Sequence, residues 1–210
     1  MTDKLIICGI DEAGRGPLAG PVYAAAVILN SGGEFNFLND SKKLSPSDRE
    51  HARKEIYKKA FAWGIGFASH TEIDEINILM ASLLAMKRAF DDMLKRNVNI
   101  KQLPAENKIK VIIDGKFTPS KLPPEKSFEA PEINALCEAM VKADSQIKEV
   151  MAASILAKTE RDDFMREMSL RYPQYGYEKH KGYPTKEHRE AVLKYGPSPI
   201  QRLTFTVKKN

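Results

Sequence analysis

The amino-acid sequence predicts an α/β fold, with strands concentrated in the first half of the chain and helices in the second. Two observations indicate this class. Short runs rich in Val, Ile and Ala are typical of buried strands, and two capping patterns precede apolar residues at helical spacing. The length of 210 residues suits one sizeable core with a minor extension, so we expect one main domain.

The composition argues against several classes of protein. With 42% hydrophobic and 29% charged residues and no apolar run long enough for a bilayer, the chain is not expected to enter a membrane. The apolar run at residues 5–10 is too short for a signal peptide, and Cys8 and Cys137 lie far apart, so we expect a cytoplasmic protein with reduced thiols. The net charge of +5 is compatible with a polyanionic partner.

Local patterns predict the elements of the first third of the chain. The apolar runs at 5–10 and 22–29 are each followed by glycines and are expected to pair as a β-hairpin. The tetrapeptide Ser-Pro-Ser-Asp at 45–48 supplies a cap, a first-turn proline and an acid near the positive end of the helix dipole. It predicts a helix to about residue 61, followed by a third strand at 64–68.

Helices and two further strands are predicted along the rest of the chain. Thr-Glu-Ile-Asp at 71–74 repeats the capping pattern and begins a long amphipathic helix whose apolar stripe belongs to the core. Strands are expected at 111–113 and 138–143, and helices at 150–171 and 185–195.

One segment between the last two strands has no regular pattern. Residues 116–136 contain four prolines and several charges, which is typical of an excursion on the surface, with room for a short helix from Glu132. Neither an internal repeat nor a low-complexity tract occurs in the sequence.

Acidic residues follow three of the predicted strands. Asp11 and Glu12 come after the first strand, Asp114 after the strand at 111–113, and Asp144 after the strand at 138–143. Ends of neighbouring strands converge at one edge of an α/β sheet, so the four carboxylates are expected to meet. Such a cluster repels itself without a cation, and an all-oxygen donor set favours Mg²⁺ or Mn²⁺. A pair of these ions supports phosphodiester hydrolysis.

Each acid also has a simpler interpretation. An Asp or Glu after a strand often only begins a turn, and its position alone does not distinguish this from a metal ligand. The four histidines lack the spacing of a zinc site and are interpreted as structural or surface residues.

The segment directly after Asp11 and Glu12 favours a functional role. Gly14 and Gly16 let the backbone approach a sugar-phosphate closely, and Arg15 adds a charged fork, so the loop is suited to sensing the 2′-hydroxyl that distinguishes RNA from DNA. A tight glycine turn is the structural alternative. A dinucleotide site is disfavoured because the spacing to Gly20 is wrong and a β-rich segment follows in place of a helix.

Five motifs occur in order along the chain. They are Asp-Glu-Ala-Gly-Arg-Gly-Pro at 11–17, Asp-Ser-Lys-Lys-Leu-Ser at 40–45, Ile-Asp-Gly at 113–115, Ala-Ala-Ser-Ile-Leu-Ala-Lys at 152–158, and His-Lys-Gly-Tyr with Thr-Lys-Glu-His within 180–188. Together they resemble the ribonuclease HII family, and the match covers nearly the whole chain. The resemblance implies a ribonuclease H-like fold, a central mixed sheet flanked by helices with a small helical C-terminal part.

The same resemblance implies a role for each candidate residue. The four acids are expected to be the catalytic metal ligands, with two Mg²⁺ or Mn²⁺ ions per site during catalysis. Gly14, Arg15 and Gly16 are expected to contact the 2′-hydroxyl of the ribonucleotide. Tyr183 is expected to pack against the sugar of the following deoxynucleotide, and Lys42 to contact a phosphate.

The activity implied by the resemblance is that of a metal-dependent endonuclease. We expect it to cut the RNA strand of RNA–DNA hybrids, and duplex DNA on the 5′ side of embedded ribonucleotides, leaving 5′-phosphate and 3′-hydroxyl ends. Residues 1–175 are expected to form the catalytic domain, with 176–210 as a substrate-contacting loop and helix packed on it, in a monomer.

Two other functions stay open on the same fold. A catalytically inactive hybrid-binding protein would bind without turnover, and the complete set of acids argues against it. A nuclease for DNA alone would cut an all-DNA duplex equally well, and the Gly-Arg-Gly loop argues against that.

Overall fold

A mixed β-sheet of five strands forms the centre of the molecule. The computed structural model describes residues 5–39, 41, 43–97, 100, 108–119 and 135–206. In the described part, the strands are β1 (Leu5–Ala13), β2 (Val22–Leu29), β3 (Ala60–Ala68), β4 (Lys108–Asp114) and β5 (Ala135–Met140). Their order is β3-β2-β1-β4-β5. The pairs β1–β2 and β2–β3 are antiparallel, whereas β1–β4 and β4–β5 are parallel, so the predicted hairpin and α/β class are confirmed.

Helices cover both faces of this sheet. They are α1 (Pro46–Lys59), α2 (His70–Arg96), α3 (Lys148–Arg171), α4 (Tyr177–His180) and α5 (Lys186–Tyr195). Successive side chains of a strand point to opposite faces. Residues Ala24 and Ala26 of β2 accordingly pack in one core with α2, while Ala25 and Val27 pack in a second core with α1 and α3. This explains why β2 is apolar throughout.

The start of α3 lies directly against β1. A Cβ placed on Gly9 would come within 2.2 Å of the backbone carbon of Glu149 and 2.3 Å of the nitrogen of Val150. No side chain fits there, and glycine at this position therefore lets the helix approach the strand that carries Asp11. The close contact brings the N-terminal end of α3 to the edge of the sheet where the acids lie.

The cap of α2, and with it the start of the helix, lies two residues earlier than predicted. Ser69 is the cap: its side chain accepts from the backbone N–H of Glu72, and the Glu72 carboxylate accepts from the N–H of Ser69. Thr71 and Asp74 have the same spacing, but Asp74 instead accepts hydrogen bonds from the backbone N–H groups of Leu203 and Thr204. The contact of Asp74 with residues 203 and 204 thus determines that the Ser69–Glu72 pattern, and not the Thr71–Asp74 pattern, caps the helix.

A break in α2 was also not predicted. Asn77 has φ +66°, outside helical geometry, and its side-chain oxygen accepts from the N–H groups of Leu79 and Met80. With ψ at 163°, this is a backbone conformation that residues other than glycine rarely adopt, and the Asn77 side chain caps the segment that follows. The element is therefore two helical segments joined at a kink.

The segment after residue 196 is tied to the chain between β1 and β2 by main-chain hydrogen bonds. The N–H of Gly20 donates to Ile200, and the N–H of Arg202 donates to Leu18. Residues Ala19 and Gln201 form an isolated antiparallel bridge between these bonds. Residues 18–20 and 200–202 therefore meet beside the Gly-Arg-Gly loop.

Some predicted features lie outside the described residues. These are Lys42, the short helix from Glu132, and most of the excursion at 116–136. In the described ranges, no helix combines the length and apolar character needed to cross a membrane.

Candidate active site

Three of the four predicted acids meet at the edge of the sheet. One carboxylate oxygen from each of Asp11, Asp114 and Asp144 lies within 4.8 Å of the others. Strands β1 and β4 are parallel neighbours with Ile10 paired to Ile113, so the next residue of each strand, Asp11 or Asp114, reaches the same place. Asp11 and Asp144 are buried. This arrangement offers a cation a compact set of oxygen donors.

Asp144 reaches the cluster by a different path from the one predicted. We expected a strand at 138–143 to end in this residue, but β5 ends at Met140. Lys142 then adopts a left-handed conformation with φ +62°, and Asp144 sits in a single 3₁₀ turn, Ala143–Ser145. A left-handed residue ends the extended backbone, so the strand cannot continue. The turn also lets the N–H of Ala143 donate to the Asp114 carboxylate at 2.8 Å.

Glu12 lies at the side of the three-aspartate cluster. It follows Asp11 on β1, and the alternation of a strand directs neighbouring side chains to opposite sides. Its carboxylate is 3.5 Å from the guanidinium of Arg15. Glu12 nevertheless lines the same cavity of about 290 Å³ as the three aspartates. All four predicted acids therefore border one cavity, with Glu12 linked to the Gly-Arg-Gly loop.

Burial and the repulsion of neighbouring carboxylates make Asp11 and Glu12 reluctant to ionise. Burial raises the pKa of Asp11 well above its usual range, and the charges of Glu12 and Asp114 raise it further, while a hydrogen bond from Ser154 opposes the shift. Burial also raises the pKa of Glu12, against the lowering effect of Arg15. A divalent cation would favour the charged carboxylates, so the donor set fits a hard ion such as Mg²⁺ or Mn²⁺.

Two serines not singled out by the sequence analysis connect Asp11 to a neighbouring loop. The hydroxyls of Ser41 and Ser154 lie 2.9 Å apart, and Ser154 is the hydrogen-bond partner of Asp11. Arg49 donates to the carbonyls of Ser41 and Leu44, which fixes the loop beside the acids. Ser41 lies in the motif at 40–45 and Ser154 in the motif at 152–158. Their place in these motifs was the only sequence signal of a role in the site.

The predicted ribose-binding residues border the same cavity as the acids. Gly14, Arg15, Gly16 and Tyr183 all line it, and Tyr183 is 41% exposed. A Cβ on Gly16 would lie 3.6 Å from the Tyr183 ring, so the loop and the tyrosine are adjacent. Sequence reasoning also missed Lys158, which lines the cavity and pairs with Asp162. Lys158 is the last residue of the fourth motif, at 152–158, but the family resemblance implied no role for it.

Two stacked histidines support the segment that carries Tyr183. The ring centroids of His180 and His188 are 4.6 Å apart. The N–H of Gly182 donates to Nδ1 of His180, so Nε2 carries the proton and donates to the carbonyl of Tyr175. Nδ1 of His188 donates to the carbonyl of Tyr183 at 3.0 Å. Both histidines are therefore neutral supports of the tyrosine loop.

We expect acid to destabilise the fold through His188. Burial lowers its pKa to about 4, so the unfolded chain takes up a proton near pH 6.5 while the folded protein does not. Its contribution to stability is present above pH 6.5 and is lost as pH falls toward 4, by about 2 kcal/mol after allowance for solvent screening. Urea unfolding at pH 7 and pH 4.5 measures this. His188→Asn should be less stable at pH 7 but lose less on acidification, and an equal loss in both proteins would contradict the assignment.

Comparisons with known proteins agree with this geometry. A family model described as Ribonuclease HII matches residues 8–208. The Ribonuclease HII of Treponema denticola is 52% identical over 206 residues, covering 97% of this chain and 99% of that protein. In the solved complex of PCNA and RNase HII from Archaeoglobus fulgidus, the similar chain has a TM-score of 0.70 and 24% identity, covering 98% of this chain and 97% of that one.

A second solved structure, Bst-RNase HIII in complex with Mn²⁺, has a TM-score of 0.72 and 18% identity. The match covers 97% of this chain and 68% of that one. These likenesses confirm the predicted ribonuclease H-like fold, with its mixed sheet flanked by helices.

Proposed function

Because the chain belongs to the ribonuclease HII family, it is an endoribonuclease that acts on RNA–DNA hybrids, and we propose that Asp11, Glu12, Asp114 and Asp144 carry the reaction. The cut lies on the 5′ side of a ribonucleotide, in hybrids and at ribonucleotides embedded in duplex DNA. It leaves 5′-phosphate and 3′-hydroxyl ends. The observation that carries this proposal is that the acidic cluster and the Gly-Arg-Gly loop border one cavity.

Divalent ions are the cofactors that the acids suit. The donors are all oxygens, three of them lie within 4.8 Å of one another, and a solved relative by fold contains Mn²⁺. We propose Mg²⁺ or Mn²⁺, with two ions per site during catalysis, held by the three aspartates and Glu12. When bound, such ions supply an activated water and stabilise the charge of the leaving oxygen.

The chain's own residues select and place the substrate. Gly14, Arg15 and Gly16 contact the ribose 2′-hydroxyl, and the exposed ring of Tyr183 packs on the next sugar. Lys158, which lines the same cavity, is proposed to contact a backbone phosphate. Lys42, which is outside the described residues, is proposed as a further phosphate contact.

We propose that residues 1–175 form the catalytic domain and carry the acids. Residues 176–210 carry Tyr183 and the helix that supports it. We propose that the protein acts as a monomer.

One assay tests the proposed function. A labelled DNA duplex with a single ribonucleotide is incubated with Mg²⁺ or Mn²⁺, then with an excess of chelator, and compared with the same duplex in all-DNA form. We expect a single cut 5′ of the ribonucleotide that chelator abolishes, because the acids alone repel one another and bind no phosphate. Binding without any cut would support the inactive hybrid-binding protein, and equal cutting of both duplexes would support a DNA nuclease.

A further inference from the structure

Two arginines are buried in the core beneath the Gly-Arg-Gly loop. Arg161 on α3 is 1% exposed and Arg202 is 0% exposed. Among the described residues, both guanidiniums donate to backbone carbonyls and neither donates to a carboxylate. Burying an unpaired charge is strongly unfavourable unless hydrogen bonds replace its water, so this arrangement needs a specific cause.

Backbone carbonyls take the place of carboxylates around both side chains. Arg202 donates to Gly14 at 2.6 Å, to Arg15 at 3.0 Å and to Gly20 at 2.8 Å. Arg161 donates to the carbonyls of three further residues. These are Ala19 at 3.2 Å, Pro21 at 3.1 Å and Lys181 at 3.0 Å. Two carbonyls of the loop, three of residues 19–21 and one of Lys181, which precedes Tyr183, thus accept hydrogen bonds from two planar guanidiniums.

The bonds from Arg202 determine how two peptide groups of the loop are oriented. In a planar trans peptide the C=O and the N–H point in opposite directions, and no cis peptide occurs among the described residues. The carbonyls of Gly14 and Arg15 point at Arg202, so the N–H groups of Arg15 and Gly16 point away from it. Within the described chain these two N–H groups have no recorded acceptor.

We propose that Arg202, assisted by Arg161, is a positioning residue for ribose recognition. It holds the peptide groups on either side of Arg15 so that their N–H groups can donate to the ribonucleotide, at its 2′-hydroxyl and the adjoining phosphate oxygen. This inference rests on the proposed function and assigns a part of its specificity to residues that do not touch the substrate. Both guanidiniums remain charged near neutral pH, and their charge favours a phosphate above the loop.

The alternative is that the two arginines only stabilise the fold. Arg53 provides a matched control because it also joins separate elements. On α1, it pairs with Glu160 at 2.6 Å and Asp163 at 2.5 Å, both on α3. Among the described residues, it makes no hydrogen bond or ion pair with the Gly-Arg-Gly loop. Loss of Arg53 should lower stability without changing substrate preference.

The main experiment compares Arg202→Lys with Arg53→Lys, each in an Asp11→Asn background so that the duplex is not cut. Fluorescence anisotropy gives affinities for a duplex with one ribonucleotide and for the all-DNA duplex. We expect Arg202→Lys to reduce the ratio of the two affinities by about tenfold, the effect of two misaligned hydrogen bonds, because one ammonium cannot hold three carbonyls. Arg53→Lys should leave the ratio unchanged. An unchanged ratio in Arg202→Lys, with whatever loss of stability, would overturn the proposal.

A measurement on the unmodified chain covers the case in which Arg202→Lys does not fold. Amide hydrogen exchange by NMR should show fast exchange at Arg15 and Gly16 in the free protein, and protection when the duplex with one ribonucleotide binds. Protection of both amides in the free protein would refute the inferred orientation. This holds even if the cleavage assay fails, so the two proposals can be judged separately.

Discussion

Asp11→Asn should reduce cleavage of a ribonucleotide-containing duplex by about a thousandfold or more while making the metal-free protein more stable. Asp11 belongs to the three-aspartate cluster, so its loss removes one donor from any bound ion. Its pKa is raised, which means that ionising it is unfavourable for the folded state. Without metal, the stability of the wild-type protein therefore falls as pH rises through that pKa, and the neutral amide avoids this loss.

Single-turnover cleavage with Mn²⁺ and thermal unfolding in chelator measure the two effects. Asp91→Asn is the control, since Asp91 forms a pair with Lys87 on the surface of α2, where such pairs contribute little. It should leave cleavage unchanged. A catalytically competent Asp11→Asn protein, or one less stable than wild type in chelator, would contradict the role assigned to the cluster.

Gly14→Ala should lower the free energy of unfolding by about 3 kcal/mol and cleavage of the same duplex by about a hundredfold in the protein that remains folded. Gly14 has φ +99°, which L side chains rarely adopt. An added Cβ would lie 2.0 Å from Nε of the buried Arg161. Arg161 donates hydrogen bonds to three carbonyls and cannot move without breaking those bonds. The loop must therefore shift away from the acids.

Gly32→Ala separates the backbone effect from the steric one. Gly32 has a similar φ of +85°, but an added Cβ there meets nothing within 4 Å. Its replacement should lower stability by about 1 kcal/mol and leave cleavage at the wild-type level. Urea unfolding and cleavage rates on both variants provide the comparison. Equal effects of the two substitutions would show that the contact between Gly14 and Arg161 is unimportant.

Features of the fold that depend on neighbouring residues could be predicted from the sequence. The hairpin and the capped helix α1 follow from local patterns, and Ser45 caps that helix as expected. The kink at Asn77 and the true cap of α2 could not be predicted. The latter depends on Asp74 contacting residues about 130 positions away. Such a contact leaves no periodic signal in the sequence.

The candidate site was predicted to a similar extent. Asp11 and Asp114 were correctly predicted to lie beside each other at the sheet edge, but Asp11 and Glu12 lie inside β1, which runs to Ala13, and not after it. The 3₁₀ turn at Asp144 was missed, since Lys142 is an unusual residue for a left-handed conformation. Arg161 and Arg202 were missed for a different reason. Arginine is almost always exposed, and no local pattern reveals one whose partners are backbone carbonyls.

The link between Arg202 and Gly14 joins positions 188 residues apart, and this separation has a consequence for protein synthesis. As the chain leaves the ribosome, β1 with Asp11 emerges first and all four acids follow well before Arg202. A chain arrested between residues 144 and 202 thus contains the four proposed metal ligands but lacks the guanidinium that, on our proposal, orients the Gly-Arg-Gly loop. On our proposal, the growing chain contains its metal ligands before it contains the residue that sets its preference for ribose.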